Sequence, residues 1–237
     1  MEPFINYFRD KKIHDVLDVG TGKGGFIHVL QDTFPEAEIT GIDPESAYLQ
    51  IARDKYPDVS FIKMHSEKLL FRDNTFDVAV ISMALHHLPK VKKSLKEMKR
   101  VVKDEGWIIV NEMISNNLNS AQEVHKLYHH FRSRVDMMTG IYHRKSFTKE
   151  AILQMLREAD IPIQFFFEYK KNVNVVENKN ELDNLIKKMK EVLERIRERP
   201  EYDLMKPEIE IFRKKAAKYG FQPATNLVIV GRKKSLS

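Results

Sequence analysis

Val16-Leu17-Asp18-Val19-Gly20-Thr21-Gly22-Lys23-Gly24-Gly25-Phe26 decides the fold: an apolar, β-branched run ends in an acid and a cluster of glycines, and a helical pattern follows. Glycines at such a turn let the backbone approach a ligand closely. A carboxylate, Asp43, comes 18 residues after Gly25 and closes the next strand-like run, Glu38-Ile39-Thr40-Gly41-Ile42. From that position it can hydrogen-bond both hydroxyls of a ribose. The spacing of Gly20, Gly22 and Gly25 also satisfies the dinucleotide pattern G-x-G-x-x-G, so spacing alone leaves two ligand classes open. Asp18 separates them. An anion two residues before the first glycine disfavours a pyrophosphate and suits a ligand carrying positive charge.

Further strand-like runs lie at Ser60–Lys63, Phe76–Ile81 and Trp107–Val110, with helical segments of about 8 to 14 residues expected between strands. Such alternation predicts parallel strands, right-handed crossovers and helices on both sheet faces. A helix is expected over 120–138, where Val124, Leu127, Tyr128, Phe131, Val135 and Met138 recur at helical spacing. Another starts at Thr148 as cap, with Glu150 in its first turn and Phe147 and Ile152 at staple positions, and ends near Ala159. Residues 163–176 read as a sixth strand and 226–230 as a seventh. Between them fall a helix over 180–198, broken at Pro200, and one over 208–219, stopped by Gly220. The expected fold is α/β: a Rossmann-like, doubly wound, seven-stranded and mostly parallel sheet with an antiparallel last strand. Helical insertions follow strand five and separate strands six and seven. We read 1–237 as a single domain, with a cofactor-binding half at 1–112, an insertion at 113–147 and a C-terminal half at 148–237 whose helical cap covers about 178–220.

Asp18-x-Gly20-x-Gly22-x-Gly24 resembles the first motif of class I S-adenosylmethionine-dependent methyltransferases, whose ligand is a sulfonium. Gly41-Ile42-Asp43-Pro44 is similar to their second motif, and Ser66-Glu67-Lys68-Leu69-Leu70-Phe71-Arg72-Asp73-Asn74-Thr75-Phe76-Asp77 to the stretch that leads into their fourth strand. Ala84-Leu85-His86-His87-Leu88 looks like the A-L-H-H-L motif of small-molecule members, and Arg100–Gly106 resembles the segment before strand five, with Asp104 and Glu105 departing from it. The resemblance covers about residues 15–112. It implies S-adenosylmethionine as cofactor, S-adenosylhomocysteine as product, and a cofactor site made of Asp18, Gly20, Thr21, Gly22, Gly24, Asp43, Pro44, His65, Ser66, Glu67, Ser82 and Met83. His65 stands where the family usually carries an Asp that accepts from the adenine amino group, so an adenine contact rests on His65 as neutral acceptor, on Ser66 and Glu67, or on packing alone.

Composition narrows the chemistry. The chain has no cysteine, which removes a thiol nucleophile and thiolate metal sites and disfavours pyrimidine carbon-5 and arsenic methylation. Ser82-Met83-Ala84-Leu85 replaces the [DN]-P-P-[YF] motif of base-amine methyltransferases. Charge of +6 arises from 40 basic against 34 acidic residues, a weak pointer to polyanions. No apolar run nears the roughly 18 residues of a membrane span, and the start lacks a secretory pattern, so a cytoplasmic enzyme without membrane contact is expected.

Methyl transfer is an in-line displacement that asks the protein to align the acceptor and take up its proton. His86, His87 and Glu112 are the candidate catalytic groups, at the ends of strands four and five; a turn cap, a packed ring and a buried structural acid are the plain alternatives. His125 and His129 share a helix face, with His130 and His143 nearby in sequence, but no H-E-x-x-H pattern accompanies them and no metal site is expected. Lys92, Lys96, Lys99 and Lys103 form a stripe that could track phosphates but reads first as solvated surface. The expected function is O- or N-methylation of a small molecule, with acceptor choice set by 113–147 and 178–220. RNA methylation is the first alternative and a catalytically silent S-adenosylmethionine-binding partner protein the second.

Overall fold

The strand-like runs meet in one sheet. A computed structural model describes residues 1–171, 173–174, 176 and 179–235. Five parallel strands, β1 (Asp15–Val19), β2 (Glu38–Asp43), β3 (Ser60–Lys63), β4 (Phe76–Ser82) and β5 (Val102–Met113), are joined by β6 (Ile163–Tyr169) and β7 (Asn226–Arg232) in the order β3-β2-β1-β4-β5-β7-β6. The final strand runs against both neighbours. Lys233 N donates to Gly106 O and Ile114 N to Thr225 O, each at 2.9 Å, so the start of β5 faces the end of β7; Arg232 N donates to Pro162 O, also at 2.9 Å, which reverses β6 in the same way. β1, β4 and β7 are buried almost throughout, as strands covered on both faces are.

The chain divides into two compact units. The first, built from Met1–Glu112, Glu150–Tyr169 and the chain from Leu227, holds the sheet with α1 (Glu2–Phe8), α2 (Ile27–Thr33), α3 (Ser46–Lys55), α4 (Val91–Val101) and most of α6 (Lys149–Glu158). Val16, Val78, Val80 and Ile109 belong to a core shared with Phe4 and Phe8 of α1, Leu30 of α2 and Leu49 of α3. Phe8 meets Phe34 and Trp107 edge-on at 5.1 and 5.7 Å. Each such large side chain stabilises by about 1.5–3 kcal/mol when fully buried. The second unit, Met113–Lys149 with Lys170–Asn226, packs α5 (Ser120–Met138), α7 (Lys179–Glu194) and α8 (Glu201–Tyr219) around Phe131, Val135, Ile186, Met189, Ile209 and Phe212. Among the described residues no helix is long and apolar enough to cross a membrane.

Several boundaries differ from the sequence reading. The helix expected at 208–219 begins at Glu201 and runs through Pro207, because Pro207 is exposed while Met205 and Ile209 beside it are buried. The sixth strand stops at Tyr169 rather than 176; part of the expected remainder lies outside the described residues, as does position 178 at the start of the expected cap. The connection from β3 to β4 is a loop, 64–75, with no helix. Arg100 explains its order: its guanidinium donates to Leu69 O at 2.7 Å and Phe71 O at 2.9 Å and pairs with Asp73 and Glu97. Lys103 belongs to β5, where it pairs with Asp15 and Asp77 at 2.8 Å, and Lys92 and Lys99 pair with Glu158 and Asp160. Three of the four lysines in the stripe are thus matched by carboxylates.

Candidate active site

In the sheet order, β1 and β4 are neighbours from which the chain winds in opposite directions, and ligands of such sheets lie beyond the carboxyl ends of the strands at that point. Gly20 N and Thr21 N both donate to Ile42 O, at 2.8 and 2.9 Å, tying the glycine turn to the end of β2. Gly20 has φ +71°, and a Cβ there would stand 2.7 Å from Ala84 Cβ; only glycine lets this turn lie against the segment after β4. At Gly22, φ +53°, a Cβ would meet nothing within 4 Å, so the backbone there borders open space.

Asp43 closes the turn from the other side. Its Oδ2 accepts from Gly22 N at 3.0 Å and its Oδ1 from Glu45 N at 2.9 Å. Burial pushes its pKa above the ordinary carboxylate value, opposed by those two amides. Carboxylate oxygens carry two acceptor sites each, so both retain capacity for a further donor. Asp18 is 1% exposed at the end of β1. Burial raises its pKa to about 7, and the Asp43 charge adds to the rise. Among the described residues, Asp18 Oδ2 and Thr21 Oγ1 are buried without a hydrogen-bond partner. Two orphaned acceptors beside an open glycine turn suit a ligand with donor groups and positive charge.

The remaining sequence-predicted positions separate. His65 is exposed next to Asp43, whose charge it partly offsets. The Ser66 hydroxyl is buried against that of Ser94 on α4 at 2.8 Å, and Glu67 lies 3.4 Å from it. Ser82 Oγ accepts from Asn111 Nδ2 at 2.9 Å. Met83 takes φ +53° and its N donates to Asn111 O at 2.8 Å, a left-handed conformation that costs a residue with a Cβ about 1 kcal/mol and that its sequence did not signal. Glu112 is fully buried at the end of β5, and His86 is buried in the turn of 3-10 helix Leu85–His87 after β4. His86 Nδ1 stands 2.9 Å from Glu112 Oε2, which also accepts the His86 backbone N–H at 3.3 Å. His87, by contrast, is exposed.

In the second unit His125 and His129, which share a helix face, meet different partners. His125 Nδ1 accepts from Ala224 N at 3.3 Å, and burial lowers its pKa to about 4. His130 contacts the Ser146 hydroxyl at 3.0 Å and is lowered to about 4 by burial and by Lys145, Lys126 and Arg134. His129 instead faces His143, a pairing that helical periodicity could not reveal.

Residues 17–110 match the methyltransferase-domain family. A demethylmenaquinone methyltransferase of Thermotoga maritima is 32% identical over 102 residues, covering 43% of this chain and 44% of that protein. Its counterpart in Bacillus licheniformis is 34% identical over 142 residues, covering 58% of this chain and 60% of the relative. The chain thus matches about half the length of these curated relatives. In fold it is similar along its whole length to a SAM-dependent methyltransferase of Methanosarcina mazei, with TM-score 0.62, 17% identity, and 100% and 99% of the two chains covered. The glycine turn, the acid closing β2 and the strand order accord with these likenesses, and residues 17–110 match a methyltransferase domain.

Proposed function

We propose that the protein is an S-adenosylmethionine-dependent methyltransferase acting on a small molecule with an ionisable hydroxyl or amine, and that His86 and Glu112 take up the acceptor's proton. The observation that carries the catalytic part is the buried His86–Glu112 pair, in the segment that Gly20 contacts through Ala84. Asp43 would hold the ribose, and the turn at Gly20, Thr21, Gly22 and Gly24 would border the rest of the cofactor. Asp18 would face its positively charged end, while Pro44, His65, Ser66, Glu67, Ser82 and Met83 would line the remainder. S-adenosylmethionine, when bound, supplies an electrophilic methyl group on a sulfonium.

The protein's own residues do the rest. Glu112 Oε2 accepts the backbone N–H of His86, which keeps the oxygen turned toward the imidazole. Glu112 would accept the Nδ1–H in a hydrogen bond and orient the ring, and the imidazole would take up the acceptor's proton at its other nitrogen. Glu112 further stabilises the imidazolium that results. Deprotonation raises the acceptor's nucleophilicity before displacement. An oxyanion or amine gains the methyl at oxygen or nitrogen; an oxyanion conjugated with a ring gains it at carbon, and that carbon then releases its proton. The latter reading is favoured by the relatives named demethylmenaquinone methyltransferase and C-methyltransferase.

The test is transfer of labelled methyl from S-adenosylmethionine to phenols, hydroxyquinones including demethylmenaquinone analogues, amines and RNA. Labelling of a small molecule is expected. Labelling of RNA alone would reassign the acceptor, and tight cofactor binding with no turnover on any class would make the protein a silent binding partner.

A further inference from the structure

We propose that His129 and His143 form a binding site for a divalent transition-metal ion of the zinc class, with Asp136 behind His143 as the carboxylate that orients it. This inference rests on none of the residues assigned above to the cofactor or to proton uptake. All three residues belong to the second unit.

His129 and Asp136 are seven residues apart on α5 and therefore share a helix face. His143 lies on the loop after α5, whose far end is anchored where Ser115 N donates to Phe147 O at 2.8 Å. The His143 and His129 Nε2 atoms point at each other across 3.0 Å, and both residues are buried. On the opposite edge of the ring, His143 Nδ1 is 2.6 Å from Asp136 Oδ2. Asp136 is held in turn by Arg195, whose Nη1 donates to its Oδ1 at 2.6 Å. A carboxylate accepting the Nδ1–H of a histidine fixes the tautomer that leaves Nε2 as a lone pair, and this is the arrangement that recurs behind metal-bound histidines.

The distance agrees with that role. Two imidazole nitrogens on a tetrahedral zinc ion, each at roughly 2.0–2.1 Å, stand about 3.3 Å apart. The observed pair needs to open by only about 0.3 Å, within the reach of side-chain rotation. Without an ion one of the two rings must donate its Nε2–H to the other. Binding then requires only that His129 carry its proton at Nδ1, so both Nε2 lone pairs point at the metal and no net proton is released from the neutral pair. Water or other donors complete the coordination.

Full-length protein freed of metal with a chelator would be titrated with Co2+ and Zn2+ by calorimetry, with the Co2+ visible spectrum as a second readout. One ion per chain is expected. His129→Gln and His143→Gln, which keep a polar side chain, should each weaken binding at least tenfold, and Asp136→Asn by about 10- to 100-fold. His28→Ala, at an exposed position on α2, should leave it unchanged. Stoichiometric binding that survives both glutamine variants, or none in the parent protein, would overturn the proposal. Should the variants fail to fold, X-ray absorption at the zinc edge of the loaded parent decides: at least two imidazole ligands are expected, and fewer refute the site.

Discussion

Ionising Asp18 should cost the protein stability, and by an amount large enough to measure. The carboxyl titrates near its ordinary value of 3.8 in the unfolded chain and at about 7 in the fold, where burial is the main cause. Below pH 3.8 it is protonated in both states and costs nothing. As pH rises the unfolded chain releases the proton while the folded protein keeps it, so stability falls until about pH 7, beyond which the loss is constant. At 1.36 kcal/mol per pH unit the full loss is about 4 kcal/mol. Asp18→Asn keeps the shape and removes the proton. Urea unfolding of the ligand-free parent and variant would be compared at several pH values from 4 to 8, so that titrating groups not coupled to Asp18 cancel in the difference. The gap between the two curves should move in favour of Asn by about 4 kcal/mol across that range. Parallel profiles would refute both the buried acid and the idea that a positive ligand end is drawn to it. A ligand that supplies that charge should offset the loss, its stabilising effect growing as pH rises toward 7 and levelling off above it.

Asp43→Ala removes the acceptor for Gly22 N and Glu45 N and should lower S-adenosylmethionine affinity at least tenfold, about 1.4 kcal/mol, in a calorimetric titration of a still folded protein; unchanged affinity would remove Asp43 from the cofactor site. Substituting His86 by Gln should reduce kcat by about 10²- to 10⁴-fold with little change in cofactor affinity, and Glu112→Gln by at least about tenfold. A loss of cofactor binding equal to the loss of rate would make the pair structural. Arg100→Ala strips the 64–75 loop of donors to two backbone carbonyls and should cost about 2–3 kcal/mol in denaturant unfolding, with Lys an incomplete replacement because one ammonium cannot span four acceptors.

The glycine turn and the acid of β2 were legible because their geometry is local: Gly20 must hold a positive φ whatever the rest of the chain does, and Asp43 ends its own strand. The bounds of α5 were equally legible, since Asn119 and Gln122 close a reciprocal cap at its start and the apolar period runs unbroken to Met138. What escaped depends on partners distant in sequence. His86 and Glu112 each lie near the end of a strand segment in the sequence, but their hydrogen bond joins residues 26 apart, and the His129–His143 contact is made by a loop whose path no periodicity encodes. Pro207 shows the same limit in energetic form. A proline inside a helix costs about 3 kcal/mol, enough to place a boundary when only the local chain is read. In α8 the proline faces solvent, where water can serve the Asp203 carbonyl that loses its helical donor, and the buried Met205, Ile209 and Phe212 fix the helix on both sides of it. Arg134 of α5 adds paired hydrogen bonds to Glu208, the residue after the proline. Burial of one large apolar side chain contributes about 1.5–3 kcal/mol, so the packing of two or three outweighs the proline's cost and carries the helix two turns past the point where propensity alone would end it.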